Sequence, residues 1–298
     1  MEAAQNKITI ETDELAELLA EKPLNLRVLD ATWFGVSAET PEKTPLNDFK
    51  ASHIPGAQHF DFAKIAHAEG AYMLPTAEDF VTHMSALGLR KTDRIVVYDS
   101  KGFFASPRVW WMLSSHGASN VAILNGGFPK WVKEGRTVEE GEPVVPADAA
   151  EGDYSWALDK NRIAYINGVH DLIYSIREGK SEENLLEARP PPAPEKGGVP
   201  SATNVPFTEF TVDGVLKSDE ELRAVFESKG VNPLKPATNT CGAGITACIV
   251  DFMLRKLGNT DTRVYDGSWT EYKEYEEPDF SNPAWKQEYK LQKRVITS

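Results

Sequence analysis

The chain has 298 residues, more than the roughly 100–200 of an ordinary domain, so two domains are expected. Its 32 lysines and arginines against 45 aspartates and glutamates give a net charge of −13. This balance argues against a nucleic-acid partner, which needs a basic surface. A hydrophobic content of 41% excludes global disorder, and no apolar run approaches the about 18 residues of a membrane helix, so no membrane partner is expected either.

Cysteine use and the N-terminus indicate the compartment. The chain has two cysteines, Cys241 and Cys248, which excludes a disulfide framework and a zinc site built mainly on thiolates. This usage is typical of a reducing compartment. Residues 1–12 lack the apolar core of a secretory signal and are acidic rather than arginine-rich. We therefore predict a cytoplasmic protein.

The first half of the chain reads as alternating strands and helices. A short apolar strand ends in an acid at Val28-Leu29-Asp30-Ala31, and a proline-containing turn follows at His53-Ile54-Pro55-Gly56-Ala57. Arg94-Ile95-Val96-Val97-Tyr98 is an apolar run of strand length. Alternation of this kind predicts a parallel sheet covered by helices on both faces.

Composition then marks the domain boundaries. Residues 139–152 are rich in Glu, Gly, Pro and Ala and show no periodicity, as in a linker. The last residues, from 278 onward, are polar and predict a surface tail. We divide the chain into a first domain at 1–140, a linker at 141–160, a second domain at 161–277 and a tail at 278–298.

The second half repeats the first. Residues 98–131 align with 239–272 at an offset of 141 without gaps, and the identities include the turn glycines at 117 and 258 and at 126 and 267. Leu185-Leu186-Glu187-Ala188 repeats the acid-ended strand of the first half. In this alignment Ser100 occupies the position of Cys241. The fold class is therefore α/β, with two tandem domains that each contain a small parallel sheet.

Local signals in the second half support this reading. Apolar residues at 245, 248, 249, 252, 253 and 257 form a helical stripe, and Gly258 stands where a helix cap is expected. Val264-Tyr265 before Asp266-Gly267 predicts a strand that ends in a turn.

The chemistry of the chain centres on Cys241, which lies between a predicted strand end and a predicted helix start. Loops at the carboxyl ends of strands are where α/β folds bind ligands. The small residues after it let backbone N–H groups and the helix N-terminus stabilise a thiolate or a persulfide anion. The alternative is a buried cysteine beside a tight turn, and we give the two equal weight on spacing alone. Cys248 lies in the apolar stripe and is predicted to be core.

Several motifs together resemble the two-domain sulfurtransferases, the family of rhodanese and 3-mercaptopyruvate sulfurtransferase. The resemblance covers nearly the whole chain. Its motifs are Val28 to Trp33, His53 to Ala57, Val97-Tyr98-Asp99, Cys241 to Ala247, and Tyr265 to Glu271. It implies two rhodanese-like domains, a catalytic second half and a first half that lacks the nucleophile.

The loop after the cysteine favours one donor. Thiosulfate-preferring members resemble Cys-Arg-Lys-Gly, and mercaptopyruvate-preferring members resemble Cys-Gly-Ser-Gly. This chain has Cys241-Gly242-Ala243-Gly244, which is similar to the second type and offers a sulfonate no ion pair. We predict that residues 242–246, including Ile245 and Thr246, cradle the persulfide. Ala243 departs from the usual serine and removes a hydroxyl near the sulfur.

Three further residues concern the substrate. Arg189 matches the first substrate arginine of the family, and an arginine fork suits a carboxylate. The second family arginine is absent from the short segment 190–198, where Lys196 is the only cation. His53 is similar to a histidine that family members bring to the interdomain cleft, while a turn histidine bonded to backbone is the equal alternative.

The resemblance implies a ping-pong reaction. The donor is a small sulfur compound, either 3-mercaptopyruvate or thiosulfate. The acceptor of the Cys241 sulfur is cyanide, a small thiol or a thioredoxin-like protein, and no metal or cofactor is required. A cysteine phosphatase is disfavoured because the position for its arginine, 247, is alanine. A non-catalytic sulfur carrier or binding module with the same fold is the remaining alternative, which the short 190–198 segment supports.

Overall fold

The computed structural model describes residues 7–35, 40, 43–66, 73–143, 156–275 and 277–282. These residues fall into two compact units. Unit 1 takes its described residues from Met1–Ala66, Leu74–Lys160 and Thr211–Lys217. Unit 2 takes its own from His67–Met73, Asn161–Phe210 and Ser218–Ser298.

Unit 1 contains a five-stranded sheet in the order β1-β5-β4-β2-β3, in which every pairing is parallel. Its strands are β1 (Thr9–Ile10), β2 (Leu26–Asp30), β3 (Ala57–His59), β4 (Arg94–Tyr98) and β5 (Val121–Leu124). Its helices are α1 (Thr12–Glu21), α2 (Pro45–Ala51), α3 (Phe62–Ile65), α4 (Ala77–Ala86), α5 (Ser106–Ser115) and α6 (Gly127–Lys133).

Unit 2 repeats this topology in the order β6-β12-β11-β7-β8, again with parallel pairings throughout. With numbering along the chain, its strands are β6 (Ile163–Ala164), β7 (Asn184–Glu187), β8 (Thr203–Asn204), β11 (Ala237–Thr240) and β12 (Thr262–Tyr265). Its helices are α7 (Ile166–Arg177), α8 (Asp219–Ser228), α9 (Ala247–Lys256) and α10 (Ser268–Tyr272). The predicted α/β class with two parallel sheets and surrounding helices is confirmed.

Buried apolar side chains explain why these segments form the sheets. In the central strand β4, residues 95–98 are all at most 1% exposed, which fits a strand covered on both faces. Helix α9 buries its apolar stripe and ends one residue before Leu257, after which Gly258 has a φ of +99°. The cap predicted at Gly258 is therefore confirmed.

The chain boundaries of the units differ in detail from a simple division into halves. The antiparallel hairpin β9 (Thr211–Val212) and β10 (Val215–Leu216) belongs to unit 1, although the sequence places it in the second domain. The N–H of Leu216 donates to Asn125 Oδ1 at 2.9 Å. Glycines allow the loop after β4 and the turn of the hairpin to approach closely, since a Cβ on Gly102 would lie 2.7 Å from Gly214 Cα.

The predicted linker and tail are only partly described. Trp156, in the predicted linker, is buried and packs edge-on against Phe80 of unit 1. Phe280, in the predicted tail, is buried in the core of unit 2. Residues 144–155 and 283–298 lie outside the described parts of the chain.

Candidate active site

Cys241 stands at the carboxyl end of β11, the central strand of the unit 2 sheet. Strand β11 ends at Thr240 and helix α9 begins at Ala247, so the loop comprises residues 241–246. The Cys241 side chain is 2% exposed. Cys248 is fully buried in α9, and its Sγ donates to Gly244 O at 3.2 Å, so the prediction that Cys248 is core is confirmed.

The hydroxyl of Ser268 supports this loop. Its Oγ accepts the N–H of Cys241 at 3.0 Å and the N–H of Gly244 at 3.1 Å, and it donates to Tyr265 O at 2.8 Å. The same oxygen lies 3.9 Å from Cys241 Sγ. The Tyr265 oxygen that Ser268 contacts is the backbone carbonyl. Burial separately raises the pKa of the Tyr265 phenol, and that group stays protonated. Ser268 therefore brings a hydroxyl close to the sulfur, and the sequence analysis does not predict this role.

A signal for Ser268 was present in the repeat. The aligned residue of unit 1 is Gly127, which has a φ of +52°, and Ser268 keeps the left-handed backbone with a φ of +48°. A non-glycine residue rarely takes this conformation without a local reason. A serine where the repeat has glycine thus marks a position at which the side chain is needed.

Two backbone contacts tie the turn at 268–270 to the cysteine loop. The N–H of Trp269 donates to Cys241 O at 3.0 Å, and the N–H of Thr270 donates to Gly242 O at 2.8 Å. The Thr270 hydroxyl donates to the same carbonyl, also at 2.8 Å. The loop is consequently held in one shape before any substrate arrives.

Unit 1 shows what the equivalent loop can bind. Strand β4 ends at Tyr98, and the side chain of Asp99, which follows it, is 1% exposed. Asp99 Oδ2 accepts the N–H groups of Phe104, Ala105 and Ser106 at 2.8–3.0 Å and the Ser106 hydroxyl at 2.7 Å. Asp99 Oδ1 accepts the N–H of Lys101 at 2.8 Å. The loop and the start of α5 thus form a nest for an anion, and the protein's own carboxylate fills it.

Sheet register puts Asp99, not Ser100, at the position of Cys241. The N–H of Ala31 donates to Tyr98 O, and that of Ala188 donates to Thr240 O, so Tyr98 corresponds to Thr240. The prediction from the ungapped repeat was therefore wrong by one residue. The cause is a difference of one residue in loop length. Residues 99–105 join β4 to α5, and the loop that joins β11 to α9, residues 241–246, is one residue shorter.

The matching nest in unit 2 is not filled by a side chain. At the offset of 141 the donors Phe104, Ala105 and Ser106 correspond to Ile245, Thr246 and Ala247. Among the described residues, none of these three N–H groups has a protein acceptor. Ile245 and Ala247 are buried, and buried N–H groups without partners are costly unless an anion or water meets them. Two of the predicted cradle residues, Ile245 and Thr246, therefore lie where anion binding is expected, whereas the N–H of Gly244 already donates to Ser268.

Arg189 lies beside this loop. A Cβ on Gly242 would be 3.6 Å from Arg189 Cδ. Asn204 fixes the backbone of Arg189, since its amide nitrogen donates to Arg189 O at 2.7 Å. The structure thus brings Arg189 together with the residues around Cys241. Lys196, by contrast, is exposed, and its side chain makes no hydrogen bond or ion pair within the described residues.

His53 lies in unit 1 and is 5% exposed. Its ring stacks on Phe49 with centroids 4.0 Å apart, and its Nδ1 donates to Phe49 O at 2.8 Å. The backbone of His53 pairs with that of Glu139. The backbone-bonded alternative therefore describes this side chain, and a contact with substrate stays a prediction.

The acids at the strand ends bond to the loops that follow them. Asp30 Oδ1 accepts the N–H of Thr32 at 2.8 Å, and Glu187 Oε1 accepts the N–H of Arg189 at 3.0 Å. Burial raises the pKa of Asp30 to about 6, against the hydrogen bonds from Thr32 that lower it.

Fold and site together define a class: a tandem α/β protein with a buried cysteine at the start of the loop that follows the central strand of its second sheet. The rhodanese-like domain pattern matches residues 11–134 and 170–275. The chain is 35% identical to thiosulfate sulfurtransferase of Cricetulus griseus over 277 residues, covering 88% of this chain and 91% of the relative. It is 34% identical to 3-mercaptopyruvate sulfurtransferase of Rattus norvegicus, covering 85% and 86%.

A solved structure agrees with these sequence relatives. The crystal structure of SseA from Escherichia coli, described as a 3-mercaptopyruvate sulfotransferase with the rhodanese fold, aligns with a TM-score of 0.77 and 30% identity. The alignment covers 88% of this chain and 99% of that one. The chain therefore belongs to the two-domain family of rhodaneses and 3-mercaptopyruvate sulfurtransferases, and it is an enzyme of the sulfurtransferase class.

Proposed function

We propose that this enzyme transfers a sulfur atom from 3-mercaptopyruvate, through a persulfide on Cys241, to a thiophilic acceptor. One observation carries the proposal: three N–H groups beside Cys241 have no acceptor within the described residues, whereas their unit 1 counterparts bind the Asp99 carboxylate. A persulfide anion matches that carboxylate in shape, because in both the charged atom is two bonds from Cβ. The nest would therefore stabilise the outer sulfur of a Cys241 persulfide.

The first half-reaction balances without a further reactant. The Cys241 thiolate attacks the sulfur of 3-mercaptopyruvate, an S–S bond forms and the C–S bond breaks. The electron pair passes to the leaving carbon as the enolate of pyruvate, which takes the proton of the donor thiol. Arg189, which lies beside the Cys241 loop, would bind the substrate carboxylate. With thiosulfate the same attack would release sulfite.

The donor preference rests on charge. The segment Cys241-Gly242-Ala243-Gly244 contains no cation, so the loop itself offers no ion pair to the doubly charged thiosulfate. The singly charged 3-mercaptopyruvate needs only one carboxylate contact. Named relatives include both thiosulfate and 3-mercaptopyruvate sulfurtransferases, so thiosulfate is the second donor to test.

The second half-reaction passes the outer sulfur to an acceptor. Cyanide would take it as thiocyanate and restore the thiolate. Two small thiols, or the two thiols of a thioredoxin-like protein, would become a disulfide and release hydrogen sulfide. We place this chemistry in the cytoplasm because both cysteines are free thiols, although one relative from Arabidopsis thaliana is named as mitochondrial. Among the described residues no helix combines the length and apolar character needed to cross a bilayer.

A paired turnover assay tests the proposal. The chain is given 3-mercaptopyruvate or thiosulfate with cyanide as the acceptor, thiocyanate is measured, and intact mass follows the sulfur on Cys241. We expect faster turnover with 3-mercaptopyruvate and no turnover in Cys241→Ser. Faster turnover with thiosulfate would contradict the donor assignment. A folded protein that loads sulfur but turns over neither donor would favour the sulfur carrier, the alternative with the same fold.

A further inference from the structure

The guanidinium of Arg189 is already engaged by an acid of its own chain. Its Nε donates to Glu187 Oε1 at 2.9 Å, and its Nη2 donates to Glu187 Oε2 at 2.6 Å. The Glu187 side chain is 2% exposed and that of Arg189 is 16% exposed. Such a bidentate, shielded pair fixes the orientation of the guanidinium and neutralises its charge locally.

A third contact uses the remaining hydrogen of Nη2. Nη2 also donates to Gly197 O at 2.9 Å. Gly197 is pressed against the ring of Trp269, since a Cβ there would lie 2.5 Å from the ring. The clamp on Arg189 is thus tied to the turn that holds the Cys241 loop. Within the described residues, Nη1 is the part of the guanidinium without an acceptor.

We propose that Glu187 determines which charge of sulfur donor the site accepts, an inference that rests on the proposed function. With Nε and Nη2 occupied, Arg189 offers only Nη1, which suits one oxygen of a carboxylate. The Arg189–Glu187 pair carries no net charge, so a donor with a second negative charge gains nothing from it. Glu187 is accordingly a positioning residue for Arg189 and a specificity-determining residue against dianions.

The other unit shows that this pairing is particular to the site. The corresponding strand-end acid of unit 1, Asp30, is followed two residues later by Thr32 rather than by arginine. Its carboxylate accepts the N–H of Thr32 at 2.8 Å. The acid at the strand end therefore has a common role in ordering the next loop, and in unit 2 it also holds the Arg189 guanidinium.

Glu187→Gln tests the proposal, because it keeps the side-chain shape and removes the charge. The measured quantity is the ratio of kcat/KM for thiosulfate to kcat/KM for 3-mercaptopyruvate, with cyanide as the common acceptor. The substitution removes the negative charge of Glu187, about 6 Å from the bound donor. At an effective dielectric constant of about 40, this loss strengthens binding of a dianion relative to a monoanion by about tenfold. We expect the ratio to rise by about tenfold, mainly through the KM for thiosulfate. The matched control is Asp30→Asn, which should leave the ratio unchanged.

Glu187→Asp separates the effect of the carboxylate charge from the effect of side-chain length. The shorter side chain keeps the charge but cannot meet both Nε and Nη2, so KM should rise for both donors while their ratio stays within about twofold of the parent. A folded Glu187→Gln protein with an unchanged ratio would overturn the proposal. A tenfold change of the ratio in Glu187→Asp would also overturn it. Failure of the unaltered chain to form a Cys241 persulfide with either donor would instead refute the proposed function itself.

Discussion

The two units use the same loop in opposite ways. In unit 1 the residue after the central strand is Asp99, whose carboxylate accepts five hydrogen bonds from its own loop and helix. In unit 2 the same position holds Cys241, and the part of the chain that the structure describes provides no acceptor for the corresponding N–H groups of residues 245–247. The same backbone arrangement therefore holds a carboxylate in unit 1 and leaves room beside a thiol in unit 2, where we propose that sulfur transfer takes place. Fold alone does not separate these roles.

The largest effect is expected when Cys241 is replaced by the acid of unit 1. Cys241→Asp should abolish sulfur transfer, because it removes the nucleophile and fills the nest with a fixed carboxylate. Relative to Cys241→Ser, the aspartate variant should be more stable to urea, by about 1–3 kcal/mol, if its carboxylate gains charge-assisted hydrogen bonds. Thiocyanate formation and urea unfolding measure the two effects. An aspartate variant less stable than the serine variant would show that the unit 2 nest does not accept an anion.

The converse change breaks the filled nest of unit 1. Asp99→Ala removes the acceptor of five hydrogen bonds, three of them fully buried, so we expect unit 1 to lose about 3–5 kcal/mol of unfolding free energy. Urea unfolding followed by tryptophan fluorescence measures this loss. Ser100→Ala is the matched control, with an expected loss below about 0.5 kcal/mol. A larger loss for Ser100 than for Asp99 would contradict the register that equates Asp99 with Cys241.

The strand-end acids give a pH-dependent form of the comparison. Burial raises the pKa of Asp30 from an ordinary 3.8 to about 6, and the nearby Asp99 adds to the rise. The folded state then binds the Asp30 proton more tightly than the unfolded state does. Stability from this group is therefore fully present below about pH 4 and is lost as the pH rises through 6, by about 3 kcal/mol in all.

Asp30→Asn removes this titration while keeping an oxygen for the N–H of Thr32. We expect the difference in unfolding free energy between the variant and the parent to grow in favour of the variant between pH 4 and 7. Urea unfolding at several pH values measures this difference. The expectation fails if the difference is constant with pH.

The smallest expected effect concerns the hydroxyl that distinguishes Ser268 from its unit 1 counterpart, Gly127. Ser268→Ala removes the acceptor for the N–H groups of Cys241 and Gly244, and we expect kcat to fall about tenfold because the sulfur is held less well. Thr270→Val is the control, since it deletes a hydroxyl that bonds to the same loop but has no recorded contact with Sγ. An equal loss in both variants would assign Ser268 a purely structural role.

Much of the fold could be read from local pattern. The apolar run at Arg94–Tyr98 became strand β4 with the same bounds, because a strand covered on both faces must be apolar at nearly every position. Gly258 ended a helix because few other residues take a positive φ easily. The hairpin at 211–217 escaped prediction because its assignment to unit 1 depends on contacts with Gly102 and Asn125, which are distant in sequence.

The sequence by itself determined the α/β class and the internal repeat, and it identified Cys241 as the candidate nucleophile, since these depend on residue type and periodicity. Only the tertiary structure decided that Asp99 is the counterpart of Cys241, because register is set by hydrogen bonds between neighbouring strands and a one-residue change in loop length hides it. The same holds for Ser268 and for the clamp of Glu187 on Arg189. Their roles depend on side chains that meet across the sheet edge, and no spacing along the chain records such distances.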